Sequence, residues 1–226
     1  MHVVMLLYPR LTQLDLTGPF EVFGRFEELT IDLVWKTADP VSDARGLRIL
    51  PTATFADCPQ ADILFVPGGP GQLALMDDAP TLAFLRAQAA GAAYVTSVCT
   101  GSLILGAAGL LKGYRATCHW LSLPQLAILG AEPVAERVVV DRNRITGAGV
   151  TSGIDFALVL VERIFGDGRA RLAQLSMEYD PKPPFPDGSP ASADPALVAL
   201  AREAAEPFQK KRADAARRAA AALGEL

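Results

Sequence analysis

A short β-branched run, Tyr94-Val95-Thr96-Ser97-Val98, stops at Cys99, and a helix of small residues begins at once with Thr100-Gly101-Ser102. With no loop between the two elements, Cys99 must occupy a strand-to-helix turn, a nucleophile elbow. A thiol there meets unpaired N–H groups and the positive end of the helix dipole, both of which favour the reactive thiolate. A junction of this kind also restricts the fold to classes in which strands feed directly into helices.

The rest of the chain repeats that grammar. Val3 to Tyr8 is a nearly continuous apolar run ending at Pro9, as in a parallel strand buried on both faces. The loop from Arg10 to Gly18 carries Asp15, and Pro19 is expected to open a helix reaching Phe26. Ile31 to Trp35 reads as a second strand, with a small β excursion over Leu47–Leu50 and Ala53–Phe55. Ile63 to Val66 is a further buried strand running into Pro67-Gly68-Gly69-Pro70-Gly71, and a helix over Ala79–Ala90 leads back to Tyr94. Beyond the elbow we expect an extended piece at Arg115–His119, a helix over Leu121–Leu129 and a hairpin turning at Asp141-Arg142-Asn143. A small-residue turn, Gly147 to Gly153, then precedes an amphipathic helix, Ile154 to Phe165. Apolar strands alternating with helices define an α/β sandwich with a mostly parallel central sheet.

Half of the 226 residues are hydrophobic, enough to bury a sizeable core. We expect one domain over residues 1–180. Residues 181–226 follow as a proline-rich linker and a C-terminal helix, Pro195 to Leu223, whose basic residues form a solvated face, the helix packing on the same domain or on a dimer partner. A formal net charge of −4 provides no overall basic field for nucleic acid. No apolar run is long enough to span a bilayer, and the first residues lack the pattern of a secretory signal, so a cytoplasmic protein is expected. Three cysteines, Cys58, Cys99 and Cys118, make neither a disulfide framework nor a zinc motif.

Ligands of open parallel sheets bind beyond the C-terminal ends of the strands. Four loops leave such ends, carrying Asp15, Gly68-Gly69, Cys99 and Gly149-Val150-Thr151. If they converge, one crevice holds a nucleophile, a carboxyl group and glycine-rich backbone able to donate N–H groups to a developing negative charge. Each residue also has a purely structural role open to it. Cys99 fits a small core residue, and Asp15 a cap for the helix expected at Pro19. Glu21 suits the first turn of that helix and ranks below Asp15. His119 is the one histidine besides His2 and so the one imidazole candidate for a base, or else a core residue beside Trp120. Cys58 and Cys118 read as structural.

Taken together, Gln13-Leu14-Asp15-Leu16-Thr17-Gly18-Pro19, Phe55-Ala56-Asp57-Cys58-Pro59, Val66-Pro67-Gly68-Gly69, Ser97-Val98-Cys99-Thr100-Gly101-Ser102, Gly109-Leu110-Leu111 and Thr151-Ser152-Gly153-Ile154-Asp155-Phe156-Ala157 resemble the DJ-1/PfpI superfamily. The likeness is greater to its isocyanide hydratase branch, and Glu178-Tyr179 and Pro183-Pro184-Phe185 extend it into the linker. The resemblance implies a flavodoxin-like fold, a homodimer, and no metal or organic cofactor. It makes Cys99 the nucleophile and Asp15 its acid/base partner. Backbone N–H groups of Thr100 and Gly69 would bind negative charge, and that of Val150 would face the sulfur.

The sequence departs from the pattern at three places. Superfamily proteases carry histidine where Thr100 stands, which argues against peptidase activity. Pro70 has no N–H, so a donor from that loop must be Gly69 or Gly71. Ala148 replaces a glycine of the nearest relatives and stiffens the turn toward Val150. The activity implied is hydration of an isocyanide to an N-formamide. The Cys99 thiolate attacks the isocyanide carbon with proton delivery from Asp15, and water then resolves the covalent thioimidate. Glyoxalase-like chemistry is the alternative enzyme reading. A redox-stress role for Cys99 and a ligand-sensing domain of the kind fused to helix-turn-helix regulators are the others.

Overall fold

A computed structural model describes residues 1–224; the last two residues of the C-terminal segment expected over 181–226 lie outside the described residues. The strands are β1 (His2–Leu6), β2 (Thr30–Trp35), β3 (Val41–Ser42), β4 (Arg48–Ile49), β5 (Ala53–Thr54) and β6 (Ile63–Val66). They continue with β7 (Tyr94–Val98), β8 (Arg115–Ala116), β9 (Glu132–Pro133), β10 (Val138–Asp141) and β11 (Arg144–Gly147). The helices are α1 (Gln13–Phe23), α2 (Gln72–Leu75), α3 (Ala79–Gly91), α4 (Gly101–Ala107), α5 (Gln125–Ile128), α6 (Ser152–Phe165), α7 (Asp167–Ser176) and α8 (Pro195–Gly224).

Seven strands form the central sheet in the order β10-β11-β7-β6-β1-β2-β5, parallel except for the β10–β11 hairpin. The chain moves outward from β1 to β2 and β5, then returns to β6 on the other side of β1. Loops leaving β1 and β6 therefore diverge, and the crevice between them is the switch point where such sheets bind ligands. Val3 to Tyr8 are completely buried, as the apolar run requires of a central strand.

Helix α6 packs against both α1 and α7 and reaches β7 and β11. Phe156 of α6 lies edge-on to Phe23 of α1 at 6.4 Å and 5.6 Å from Phe65 of β6. Burying a ring of this kind stabilises the fold by about 1.5–3 kcal/mol, so three aromatic side chains tie helix, sheet and helix into one core. A second group of helices, α2 to α5 and α8, packs together around α4.

The structure redraws several expected boundaries. Helix α1 begins at Gln13, and Pro19 lies inside it, leaving the Asp15 carbonyl without its usual i+4 donor. The helix expected over Leu121–Leu129 is a 3-10 turn at Trp120–Ser122 followed by α5, separated at Pro124. Of the β excursion, β4 pairs with β3 in a separate ribbon, while β5 joins the edge of the main sheet. Segment 181–194 is exposed and irregular, and α8 packs back on α4, α5 and the Trp120 turn of the same chain. Among the described residues no helix is long and apolar enough to cross a membrane.

Candidate active site

Asp15 sits in the first turn of α1, where Thr12 anchors the helix start by donating its backbone N–H to Gly68 O at 2.9 Å. The side chain is fully buried, and Oδ2 accepts the Gly68 N–H at 3.0 Å. Asp15 therefore bonds across the fold and does not cap its own helix, which overturns the capping alternative. Oδ1 has no hydrogen-bond partner. Burial pushes the carboxyl up to about 7, against the opposing influence of the facing Cys99 thiol and the Gly68 N–H. The Asp15–Cys99 contact falls short of a full hydrogen bond, yet it is close enough for each group to shift the other.

Cys99 has the left-handed φ of 56° that marks a strained non-glycine residue, and it is 5% exposed. Its N–H is shared between Gly147 O at 3.0 Å and Ala148 O at 2.7 Å, which pins the elbow to the end of β11. Burial, then the charges of Asp15 and Cys118, push the thiol well above its ordinary value, and the Thr100 N–H works the other way. The expectation that the helix terminus favours a resting thiolate is therefore corrected. Helix α4 is seven residues long and buried throughout, so lost hydration outweighs its dipole.

The glycine loop serves the site differently from its expected role. A Cβ on Gly68 would lie 2.6 Å from Thr100 N and 2.7 Å from Asp15 Oδ2, so glycine alone lets the loop pass between them. Gly69 reaches the site, but its N–H is committed to Thr100 Oγ1 at 3.0 Å, and the Gly71 N–H goes to Arg10 O. Neither is free to bind a substrate. The Thr100 N–H is the donor that faces the sulfur. The Val150 N–H donates to no other described residue.

Val150, Ala148, Cys118 and His119 line a cavity of 420 Å³ whose outer wall is the linker segment 188–191. Cys99 does not line it but donates its backbone N–H to the carbonyl of Ala148, which does. Neither this cavity nor a larger one of 750 Å³, bounded by Arg10, Trp35 and Phe208, is lined by Cys99 or Asp15; the smaller one is distinguished by His119 and by Ala148, whose carbonyl accepts the Cys99 N–H. His119 Nδ1 accepts the Leu121 N–H at 3.3 Å, which assigns the ring proton to Nε2. Burial lowers its pKa, so the ring is neutral, and it bonds neither Cys99 nor Asp15.

Among the other candidates, Glu21 lies near the C-terminal end of α1 in an exposed pair with Arg25 at 2.7 Å, outside the site. Cys58 and Cys118 are free thiols, raised by burial to about 11 and about 12. Two residues at the site escaped the sequence reading. Tyr8 is fully buried and donates its hydroxyl to Pro67 O at 3.0 Å, holding the start of the glycine loop. Arg212 of α8 is 8% exposed, so the expectation of a wholly solvated basic face fails there. Its signal was the spacing of Phe208, Ala215, Ala216 and Ala219, which places position 212 on the apolar side of the helix.

The DJ-1/PfpI family model matches residues 1–163. An isonitrile hydratase from Pseudomonas putida is 52% identical over 223 residues, 99% of this chain and 98% of the relative. A ThiJ/PfpI family protein from Pseudomonas syringae superposes with a TM-score of 0.93 at 50% identity, covering 95% of this chain and 90% of that one. By contrast, the helix-turn-helix regulator GbdR of Pseudomonas aeruginosa is 38% identical over 54% of this chain and 33% of its own length.

Proposed function

The chain belongs to the DJ-1/PfpI family, and from that membership we propose that it hydrates isocyanides to N-substituted formamides, using Cys99 as nucleophile and Asp15 as the proton carrier. One observation carries the mechanism: a fully buried carboxyl, raised to about 7, facing an equally dehydrated thiol. Two such groups titrate as a pair. Above about pH 7 the pair holds one proton, which can sit on sulfur or on the carboxyl.

The thiol proton passes to Asp15 as sulfur attacks the terminal carbon of R–N≡C, and Asp15 then delivers it to that carbon. The S–H bond breaks, C–S and C–H bonds form, and the product is the thioimidate R–N=CH–S–Cys99. Water adds its oxygen to the same carbon while Asp15 takes a water proton and hands it to nitrogen. Collapse breaks the C–S bond, returns the hydroxyl proton to sulfur through Asp15, and releases R–NH–CHO. The Thr100 and Val150 N–H groups steady negative charge on sulfur. Gly69 contributes indirectly, by holding Thr100 through its side chain. The reaction consumes one water and needs no other reactant.

The near-complete overlap with the hydratase supports this reading over a ligand sensor, since the regulators match only part of the chain. A second copy of the chain fits the family as partner. Several large apolar side chains, among them Phe20 on α1 and Leu47 and Leu50 beside β4, are exposed, and sedimentation at twice the chain mass is the expected result. For the activity, the test is turnover of an aryl isocyanide beside methylglyoxal. Formamide release with negligible methylglyoxal consumption is expected, and the opposite pattern favours the glyoxalase alternative.

A further inference from the structure

Arg212 is a buried guanidinium without an acid. Its Nε donates to Gln72 Oε1 at 2.9 Å, its Nη1 donates to Ser122 Oγ at 3.1 Å, and its plane lies 4.5 Å from the Phe208 ring. With the Gln209 amide turned to accept, that oxygen adds a third neutral partner at 3.1 Å. No carboxylate pairs with Arg212 among the described residues, although the other arginines of α8's C-terminal half do find them: Arg217 with Asp214 and Arg218 with Asp77. An interior charge is expensive unless an opposite charge meets it. Nothing among its partners is negative, so any opposite charge must arise nearby.

The hydrogen bonds lead toward one. Arg212 holds Gln72, the Gln72 N–H donates to Gly69 O at 3.1 Å, and the Gly69 N–H donates to Thr100 Oγ1 at 3.0 Å. Thr100 is bonded covalently to Cys99 and offers its N–H to the sulfur. Four links thus connect the C-terminal helix to the nucleophile.

We propose that Arg212 is a positioning residue for Cys99, fixing the loop that orients Thr100 and supplying the positive charge that balances negative charge developing on the sulfur. The titratable groups around the same centre are Tyr8, Asp15, Cys118 and His119. Asp15 and Cys118 oppose the thiolate, and Tyr8 and His119 are neutral at pH 7. Arg212 is the cation of the cluster. Its guanidinium is felt at Tyr8, Cys118 and His119, and Cys99 is felt at Arg212, whereas at Cys99 itself burial, Asp15 and Cys118 dominate. The inference rests on Cys99 being the nucleophile but not on the identity of the substrate.

The test is alkylation of Cys99 in the full-length protein by iodoacetamide between pH 7 and pH 10, followed by peptide mass mapping to separate it from Cys58 and Cys118. Replacing a buried ion with an apolar residue of similar length is often tolerated, so Arg212→Met is the primary variant. It should slow Cys99 alkylation about tenfold at a given pH and move the profile about one pH unit higher, a tenfold change corresponding to one unit. Arg212→Lys should recover most of the wild-type profile, which a merely structural role would not require. A folded Arg212→Met protein with the wild-type profile overturns the proposal, as does a lysine variant behaving like the methionine one. Should Arg212→Met fail to fold, Gln72→Glu neutralises the guanidinium where it stands, and an unmoved profile in that variant overturns the proposal equally. Loss of isocyanide turnover in the wild type leaves this test intact, whereas formamide release at the wild-type rate by Cys99→Ser removes the nucleophile reading itself.

Discussion

At the scale of single residues, the site is built by dehydration. Asp15 and Cys99 are both held out of water, and their proximity penalises charging both at once. This arrangement has a cost that can be measured. Asp15 titrates near 3.8 when unfolded and at about 7 when folded. Well below pH 3.8 it is protonated in both states and costs nothing. Between pH 4 and pH 7 the unfolded chain ionises first, so stability falls as pH rises, reaching a deficit of about 4 kcal/mol that persists above pH 7. Asp15→Asn should therefore be more stable than the wild type in urea at pH 8, by up to about 4 kcal/mol, with the difference vanishing below about pH 3. A gap independent of pH would mean that the carboxyl is not dehydrated as described. Cys99 and Asp15 were legible in the sequence because each follows a strand. Their protonation states were not, since burial depends on what the rest of the chain lays over them. Gly69 shows the same limit. The sequence identifies a glycine that allows close approach, while the partner its N–H chooses is decided by the placement of Thr100.

At the scale of elements, strand positions were readable because runs such as Val3–Tyr8 and Ile63–Val66 have no other way to bury every side chain. Helix starts were less so. Proline ordinarily marks a first turn, yet Pro19 sits seven residues into α1, and the true start is set by a backbone contact with Gly68 that no local pattern encodes. Helix α8 was read correctly as a helix and incorrectly as a wholly solvated one on its basic side. Alanine-rich helices bury through close approach, and Ala215 and Ala216 are completely covered. Ala216→Leu should consequently cost about 1–3 kcal/mol by overpacking. Ala220→Leu, on a partly exposed position of the same helix, should cost much less by thermal melting. Equal losses would show that α8 does not pack as described.

At the scale of the whole molecule, the sheet's switch point brings four distant stretches to one place: α1 after β1, the glycine loop after β6, the elbow after β7 and the turn after β11. Helix α8 then adds Arg212 from the far end of the chain. The similarity to the hydratase spans nearly all of this, whereas the regulator GbdR matches 54% of the chain. The catalytic account predicts that kcat/KM for an isocyanide rises with pH through about 7, as the Asp15–Cys99 pair loses its first proton, and a rate that falls through that range would contradict it. The most direct test of the central claim is rapid acid quenching of the protein mixed with an aryl isocyanide, followed by intact-mass measurement and peptide mapping. The account predicts a mass gain of one whole isocyanide on the Cys99 peptide that decays as formamide appears, and neither event in Cys99→Ser. Formamide released at the wild-type rate by Cys99→Ser would contradict it.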